Sequence, residues 1–260
     1  MDHYEFCMEL IKDAGALLLE MRERNFDVDT KGFDVRDIVT TVDKALNDLM
    51  IGKIRSRFPE HAIYSEEGGG NASSSEYVWV IDPIDGTANF SRGIPHYSIV
   101  VGLLKKGEPA LGAVHNPVTR ELYSFKKGRG VWLNDRPICV SSISELEGSS
   151  IFFHAGRKLE VRDWGGESYR RLLGSVKKTS NFSGSALDIC FVAAGRIEGV
   201  VYGTLTTKDI ATAIGILIEA GGVVCDASGA PITFSTEPQK VYVANSQKLC
   251  ADLIELLETP

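Results

Sequence analysis

The sequence predicts a layered α/β chain of two subdomains, and three observations carry that expectation. Apolar residues recur at helical spacing near the N-terminus, short β-rich runs joined by Gly-containing turns follow, and strands and helices alternate through the second half. No linker rich in Pro or Ser separates the halves and no internal repeat is found. One compact unit is therefore expected, with an α+β subdomain over residues 1–145 and an α/β subdomain over 146–260.

Phe6, Leu10, Ala14, Leu17, Leu18 and Met21 mark one face of an amphipathic helix over residues 3–24. Thr40, with Asp43 three residues on, reads as the start of a second; Val42, Leu46, Leu49, Met50, Ile54 and Phe58 carry its face until Pro59 stops it. The period then changes. Residues 77–81, 98–104, 110–114, 121–125 and 131–133 are β-rich runs, several linked by turns such as KKGEP and KKGRG, and they predict an antiparallel meander. The second half offers strands at 150–153 and 199–202 and near Val223 and Val241. Its helices are expected around 168–173 and over 185–194, 209–220 and 246–257.

Composition limits what the chain can do. Among 260 residues, 28 Lys+Arg face 35 Asp+Glu, a net charge of -7, so the summed field repels polyanions; neither nucleic acid nor an acidic membrane is an expected partner. The N-terminal segment is acidic where a leader needs basic residues, and no apolar run approaches the ~18 residues of a membrane span, which makes a cytoplasmic location the expectation. Cys7, Cys139, Cys190, Cys225 and Cys250 are odd in number and never paired as CxxC, and they read as reduced, buried thiols. The N-x-S triplets at Asn71, Asn89 and Asn181 mean little in a chain without an export signal. The histidines, His3, His61, His96, His115 and His154, show no metal spacing and receive no role.

The chemistry concentrates in Val78–Phe90, VWVIDPIDGTANF. An apolar strand runs into Asp82, Pro83, Ile84, Asp85, Gly86 and Thr87, where Pro and Gly force a turn. Two carboxylates three residues apart on a rigid turn can converge on one volume, and the Ile84 carbonyl between them is free to act as an oxygen ligand. Oxygen-only donors favour a hard cation, Mg²⁺ first. Ser65, Glu66 and Glu67 end another short strand and bring a further carboxylate within reach. Each position also has a plainer reading. An isolated DPxDG is a turn capped by Asx hydrogen bonds, Asp43 and Asp209 are candidate helix caps, and Glu67 is a solvated neighbour.

WVIDPIDGTANF resembles, residue for residue, the first signature of the inositol monophosphatase family of Mg²⁺-dependent phosphatases. DIVTTVD at 37–43, SEEG at 65–68, GRGVWLNDRPI at 128–138, GSALDICFVAAGRIEG at 184–199 and KDIATAIGILIEAGGVVCDASG at 208–229 agree in order, so the resemblance spans nearly the whole chain. It implies an alternating α-β-α-β-α sandwich and a homodimer. It also implies a phosphomonoesterase acting on a small-molecule phosphate ester: inositol 1-phosphate first, with fructose 1,6-bisphosphate as a further substrate. Phosphatases of 3'-phosphoadenosine 5'-phosphate or histidinol phosphate, and a non-catalytic metal-binding protein, are the alternatives.

By similarity, Glu66, Asp82 and the Ile84 carbonyl hold one Mg²⁺, and Asp82, Asp85 and Asp209 a second; a third rests on Glu66 and waters in some members. Thr87, polarised by Asp43, orients the attacking water together with Glu66, and the N–H groups of Gly86 and Thr87 at a helix start receive phosphate oxygens. Gly184, Ser185 and Ala186 form the substrate-side loop, with Tyr202, Asp85 and Asp209 beside it. Three positions depart from the family. Lys208 stands where Trp usually precedes the metal-binding Asp, Tyr202 replaces a Glu that contacts inositol hydroxyls, and Asn181 replaces an Arg. Lys208, Arg157 and Lys158 leave room for a second phosphate.

Overall fold

The structure, a computed structural model, describes residues 2–24, 26–30, 38–70, 75–156 and 161–259. Helices α1 (His3–Arg22) and α2 (Thr41–Arg57) follow the apolar spacing of the sequence. The capping box expected at Thr40 and Asp43 is formed, each side chain accepting from the other's backbone N–H. A short antiparallel pair, β1 (Val28–Thr30) and β2 (Ile38–Thr40), precedes α2.

The meander becomes a seven-stranded sheet. Its strands lie in chain order: β3 (Ala62–Ser65), β4 (Tyr77–Asp85), β5 (Ser98–Lys105), β6 (Glu108–Asn116), β7 (Glu121–Lys126), β8 (Gly130–Leu133) and β9 (Arg136–Pro137). Only β3 and β4 run parallel. Side-chain alternation serves both faces. Ile99, Val101 and Leu103 of β5 pack with α1 and α2 residues, whereas Val100 points to the opposite side with Val114, Tyr123 and Phe125.

A one-turn helix, α3 (Thr87–Phe90), sits between β4 and β5. After β9 the chain builds a five-stranded sheet in the order β11 (Lys178–Ser180), β10 (Ser150–His154), β12 (Gly199–Thr206), β14 (Pro238–Ala244) and β13 (Val223–Cys225). Helices α5 (Ser185–Ala193) and α6 (Ala211–Glu219) fill the space between the sheets, where Leu187, Ile189, Ile214 and Leu217 meet Val200, Val241 and Val243. On the outer face, α4 (Arg162–Ser175) and α7 (Gln247–Glu258) cover Ile151, Phe153, Val201 and Tyr242. The result is the expected five-layer α-β-α-β-α sandwich.

The inner layer is tight. A Cβ on Gly215 of α6 would lie 2.1 Å from Cζ of Phe125, so helix and sheet meet at that distance only because residue 215 has no side chain. Gly215→Val is expected to lower stability by about 3 kcal/mol, the upper part of the overpacking range, and calorimetry should record a fall of several degrees in Tm. An unchanged Tm would contradict this packing. Four cysteines are buried as expected, and Cys139 is exposed. Among the described residues no helix is long and apolar enough to cross a membrane.

Candidate active site

Because β3 and β4 are parallel neighbours with Ser65 opposite Ile81, Glu66 emerges beside Asp82, its N–H donating to the Ile81 carbonyl at 3.3 Å. The chain does not turn at Asp82, as Pro83 led us to expect. β4 continues to Asp85, and its ladder with β5 breaks between Asp82, opposite Val100, and Asp85, opposite Ser98. Pro83 has no N–H for the ladder, so the interruption falls there as a bulge. Inside it the Ile84 N–H donates to Asp82 Oδ1 at 3.0 Å, which is the Asx contact of the plainer reading, and both carboxylates are buried.

Gly86 follows with φ at +89°, a left-handed conformation, and a Cβ there would lie 3.1 Å from the His96 carbonyl. This switch starts α3. The Thr87 Oγ1 lies 2.9 Å from the Ile84 carbonyl and 3.2 Å from Asp43 Oδ1, leaving a single hydroxyl proton between two acceptors. Asp43 is fully buried, and its other oxygen accepts from the Thr40 N–H at 2.8 Å and from the Thr40 hydroxyl. Asp43 thus caps α2 through Oδ2, and its Oδ1 faces Thr87. Since α3 is a single turn its dipole is small, and any phosphate contact at Gly86 and Thr87 would fall to their N–H groups themselves.

Asp209 is not the cap of α6. The helix begins at Ala211 with Ile210 as its N-cap, and Asp209 lies in the preceding turn, where Oδ1 accepts from the Tyr64 hydroxyl at 2.8 Å. Lys208 lays its ammonium 4.2 Å from the centre of the Tyr64 ring. The cation that replaces the family's Trp therefore rests on the residue that holds Asp209. Tyr64 is part of the site, and sequence gave no sign of it.

The loop expected on the substrate side is bound to Asp85. Asp85 accepts from the Ser185 N–H (3.1 Å), the Ser185 hydroxyl (2.7 Å) and the Ala186 N–H (2.9 Å), so the first turn of α5, capped by Gly184, holds a carboxylate rather than offering these donors to a ligand. Tyr202 is likewise not open to substrate. Its ring is buried and its hydroxyl donates to the Ser185 carbonyl at 3.1 Å. Glu67 is half-buried after β3, its N–H donating to the Ser65 hydroxyl at 3.2 Å. Asp37, Asn71, Arg157 and Lys158 lie outside the described residues.

Electrostatics single out the two carboxylates of β4. Burial, then the charges of Glu66 and Asp85, push the Asp82 carboxyl well above its ordinary range, and Asp209 adds to the effect. Burial likewise raises Asp85, to about 6 even after the hydrogen bonds from Ser185 and Ala186 oppose it, and Tyr64 is raised by burial and by Asp209. Asp82 and Asp85 thus carry their charge at a cost to which carboxylates of two other segments add, and a cation relieves that cost. Among the described residues, no group of three or more His, Cys, Asp or Glu side chains is arranged to hold a metal ion as it stands. The donor set itself, four carboxylates and the Ile84 carbonyl with no nitrogen or sulfur, fits a hard dication.

A layered α/β sandwich with buried carboxylates and a carbonyl gathered at the end of β4 defines the class, an α/β protein with an oxygen-only donor set suited to a hard cation. The sequence model of the inositol monophosphatase family matches residues 2–259, and the chain belongs to that family of phosphatases. It is 34% identical over 223 residues to the Nus factor SuhB of Pasteurella multocida, covering 84% of this chain and 82% of the relative. It is also 34% identical over 230 residues to the fructose-1,6-bisphosphatase/inositol-1-monophosphatase of Thermotoga maritima, covering 88% and 86%. Among solved structures, the extragenic suppressor protein suhB of Bartonella henselae superposes with a TM-score of 0.91 at 27% identity, covering 98% of each chain.

Proposed function

We propose that the chain is a Mg²⁺-dependent phosphomonoesterase acting on a small sugar or polyol phosphate, with inositol 1-phosphate as the first substrate and fructose 1,6-bisphosphate as a second. The observation that carries this reading is the pair of buried, raised carboxyls at the bulge of β4, Asp82 under burial and the charges of Glu66, Asp85 and Asp209, and Asp85 under burial. The double name of the Thermotoga relative supports the pair of substrates.

Glu66, Asp82 and the Ile84 carbonyl would hold one Mg²⁺, Asp82, Asp85 and Asp209 another, and Glu66 a third where one binds. The chemistry such ions would supply is acidification of a water, screening of the phosphate dianion and stabilisation of the departing alkoxide. The chain's own contribution begins with Thr87. Whichever acceptor its hydroxyl donates to, Asp43 or the Ile84 carbonyl, the Oγ1 lone pairs can accept a hydrogen bond from the attacking water and aim it. Glu66 is exposed at the end of β3, where it can help orient that water. Tyr64 and the first turn of α5 keep Asp209 and Asp85 from rotating away.

Thr87→Val is expected to lower kcat by about 10²-fold, the scale of a lost acid–base contact, while Mg²⁺ affinity measured by calorimetry stays at the wild-type value. Equal losses in both would place Thr87 among the metal-holding groups instead. The assignment as a whole is tested with a panel of inositol, sugar, nucleotide and histidinol phosphates assayed with Mg²⁺ and then with Li⁺ added. Phosphate release from inositol 1-phosphate or fructose 1,6-bisphosphate is the expected result; a preference for the nucleotide or histidinol ester would redirect the substrate. The reading includes a cytoplasmic homodimer, and sedimentation checks the oligomeric state.

A second reading, a non-catalytic metal-binding protein on the same fold, takes its support from the name of the Pasteurella relative. It requires that no ester of the panel be hydrolysed while Mg²⁺ still binds.

A further inference from the structure

Asp188 is fully buried and lies one turn beyond Gly184 on α5, its N–H closing that turn on the Gly184 carbonyl at 2.9 Å. Two histidines from distant segments meet it. His96 Nε2 is 2.7 Å from Oδ1 and His154 Nε2 is 2.8 Å from Oδ2, so each carboxylate oxygen has its own imidazole. Burial alone would raise this carboxyl, but the hydrogen bonds from His154 and His96 outweigh it and leave Asp188 below its ordinary range. The group is held as an anion that gains its partners only in the folded chain.

Three contacts around this cluster lead to the first turn of α5. The His96 ring occupies the space beside Gly184, where a Cβ would come within 2.8 Å of Cδ2. The His154 ring stacks on Tyr202, with centroids 4.9 Å apart and planes 11° from parallel, and Tyr202 donates to the Ser185 carbonyl. Asn89, at the end of the DPIDGTAN run, donates to the His96 carbonyl at 2.8 Å and to the Phe182 carbonyl at 2.6 Å, tying the approach to α5 to the same loop. What this turn does is hold Asp85 through Ser185 and Ala186.

We propose that Asp188, clamped between His96 and His154, is a positioning residue that fixes the first turn of α5 and thereby sets Asp85 for cation binding. The proposal rests on the metal reading of the pocket. A buried carboxylate–imidazole cluster that served stability alone would leave the Mg²⁺ affinity of the folded protein unchanged when His154 is truncated, the charge of Asp188 itself acting on Asp85 through space. A positioning role moves that affinity, because the Asp85 donors shift with the turn.

The test is Mg²⁺ titration calorimetry on the full chain without substrate, with kcat and KM for inositol 1-phosphate measured in parallel. Asp188→Asn keeps the shape and removes the charge, and it is expected to weaken Mg²⁺ binding about 10-fold or more, within the roughly 10–100-fold range of outer partners of metal ligands. The loss should appear in kcat with KM for the ester changed far less. His154→Ala is expected to share the loss, and His154→Gln, whose amide can still donate to Oδ2, to recover most of it. This pair also serves should Asp188→Asn not fold. Wild-type Mg²⁺ affinity in folded Asp188→Asn or in His154→Ala, or no difference between His154→Ala and His154→Gln, overturns the proposal. Absence of Mg²⁺ binding in the wild type would instead sink the metal reading of the site, and with it this role.

Discussion

Asp85→Asn is expected to reduce phosphate release by at least about 10³-fold, the upper scale seen when a single preorganised electrostatic group is removed at a reacting centre, without unfolding the chain. The loss is large because Asp85 stands at the end of the β4 bulge and faces the same volume as Asp82, so an amide withdraws one of the charges that hold the cation. The fold should tolerate the change because burial already disfavours the ionised form of Asp85, raised to about 6. Asn retains the shape and a carbonyl oxygen for the Ser185 and Ala186 donors, although its NH₂ must find a partner of its own. Circular dichroism and a Tm within a few degrees of wild type, together with lost turnover, are the expected pair of results. Near-normal activity would contradict the assignment of Asp85 to the metal site.

Mg²⁺ is expected to stabilise the chain strongly at neutral pH and hardly at all at pH 4.5. Asp82 and Asp85 have folded-state pKa values raised above those of the unfolded chain, so in the metal-free protein their protonated forms favour folding. That contribution is fully present below the ordinary carboxylate pKa near 4 and is lost as pH rises through about 6, where Asp85 ionises, and beyond it for Asp82. Asp188 acts in the opposite sense, but its lowered pKa confines its effect to more acidic solution and leaves the window from 4 to 6 to the site carboxylates. Bound Mg²⁺ replaces the missing protons. At about 100 times its dissociation constant it adds ~2.7 kcal/mol, roughly 5–10 °C in Tm for a chain of this size. Calorimetric scans from pH 4.5 to 7.5 with and without Mg²⁺ check this, and Asp85→Asn should flatten the metal-free curve. A Mg²⁺ effect equal at both pH values would contradict the electrostatic account.

Much of the fold was legible because its elements carry strong periodicity. The α1 and α2 faces, the β4–β8 meander and the apolar α6 are set by burial on one face or all round, and spacing reveals that directly. Elements without such burial escaped. β1 is exposed at all three positions and β11 is only three residues long. α4 was read as a short stretch near 168–173 because Gly165 and Gly166 weaken its N-terminal half and only Gly165, Ser168 and Leu172 of its face are buried.

The site divides in the same way. Asp82, Ile84, Asp85, Gly86 and Thr87 are contiguous, so their chemistry can be read along the chain, and Glu66 follows once β3 is set beside β4. Tyr64 meets Asp209 across 145 residues, and His96 and His154 meet Asp188 across 92 and 34. No local spacing encodes such contacts. The hydrogen bonds of Ser185 to Asp85 and of Tyr202 to the α5 turn join residues 100 and 17 positions apart, and only the packed structure exposes them.

The most direct test of the central claim is anomalous diffraction from crystals soaked in Mn²⁺ as a scattering substitute for Mg²⁺. The account predicts at least two peaks inside the pocket, one contacting Glu66, Asp82 and the Ile84 carbonyl and the other contacting Asp82, Asp85 and Asp209. An empty pocket at saturating Mn²⁺, or peaks confined to other carboxylates of the surface, would contradict it.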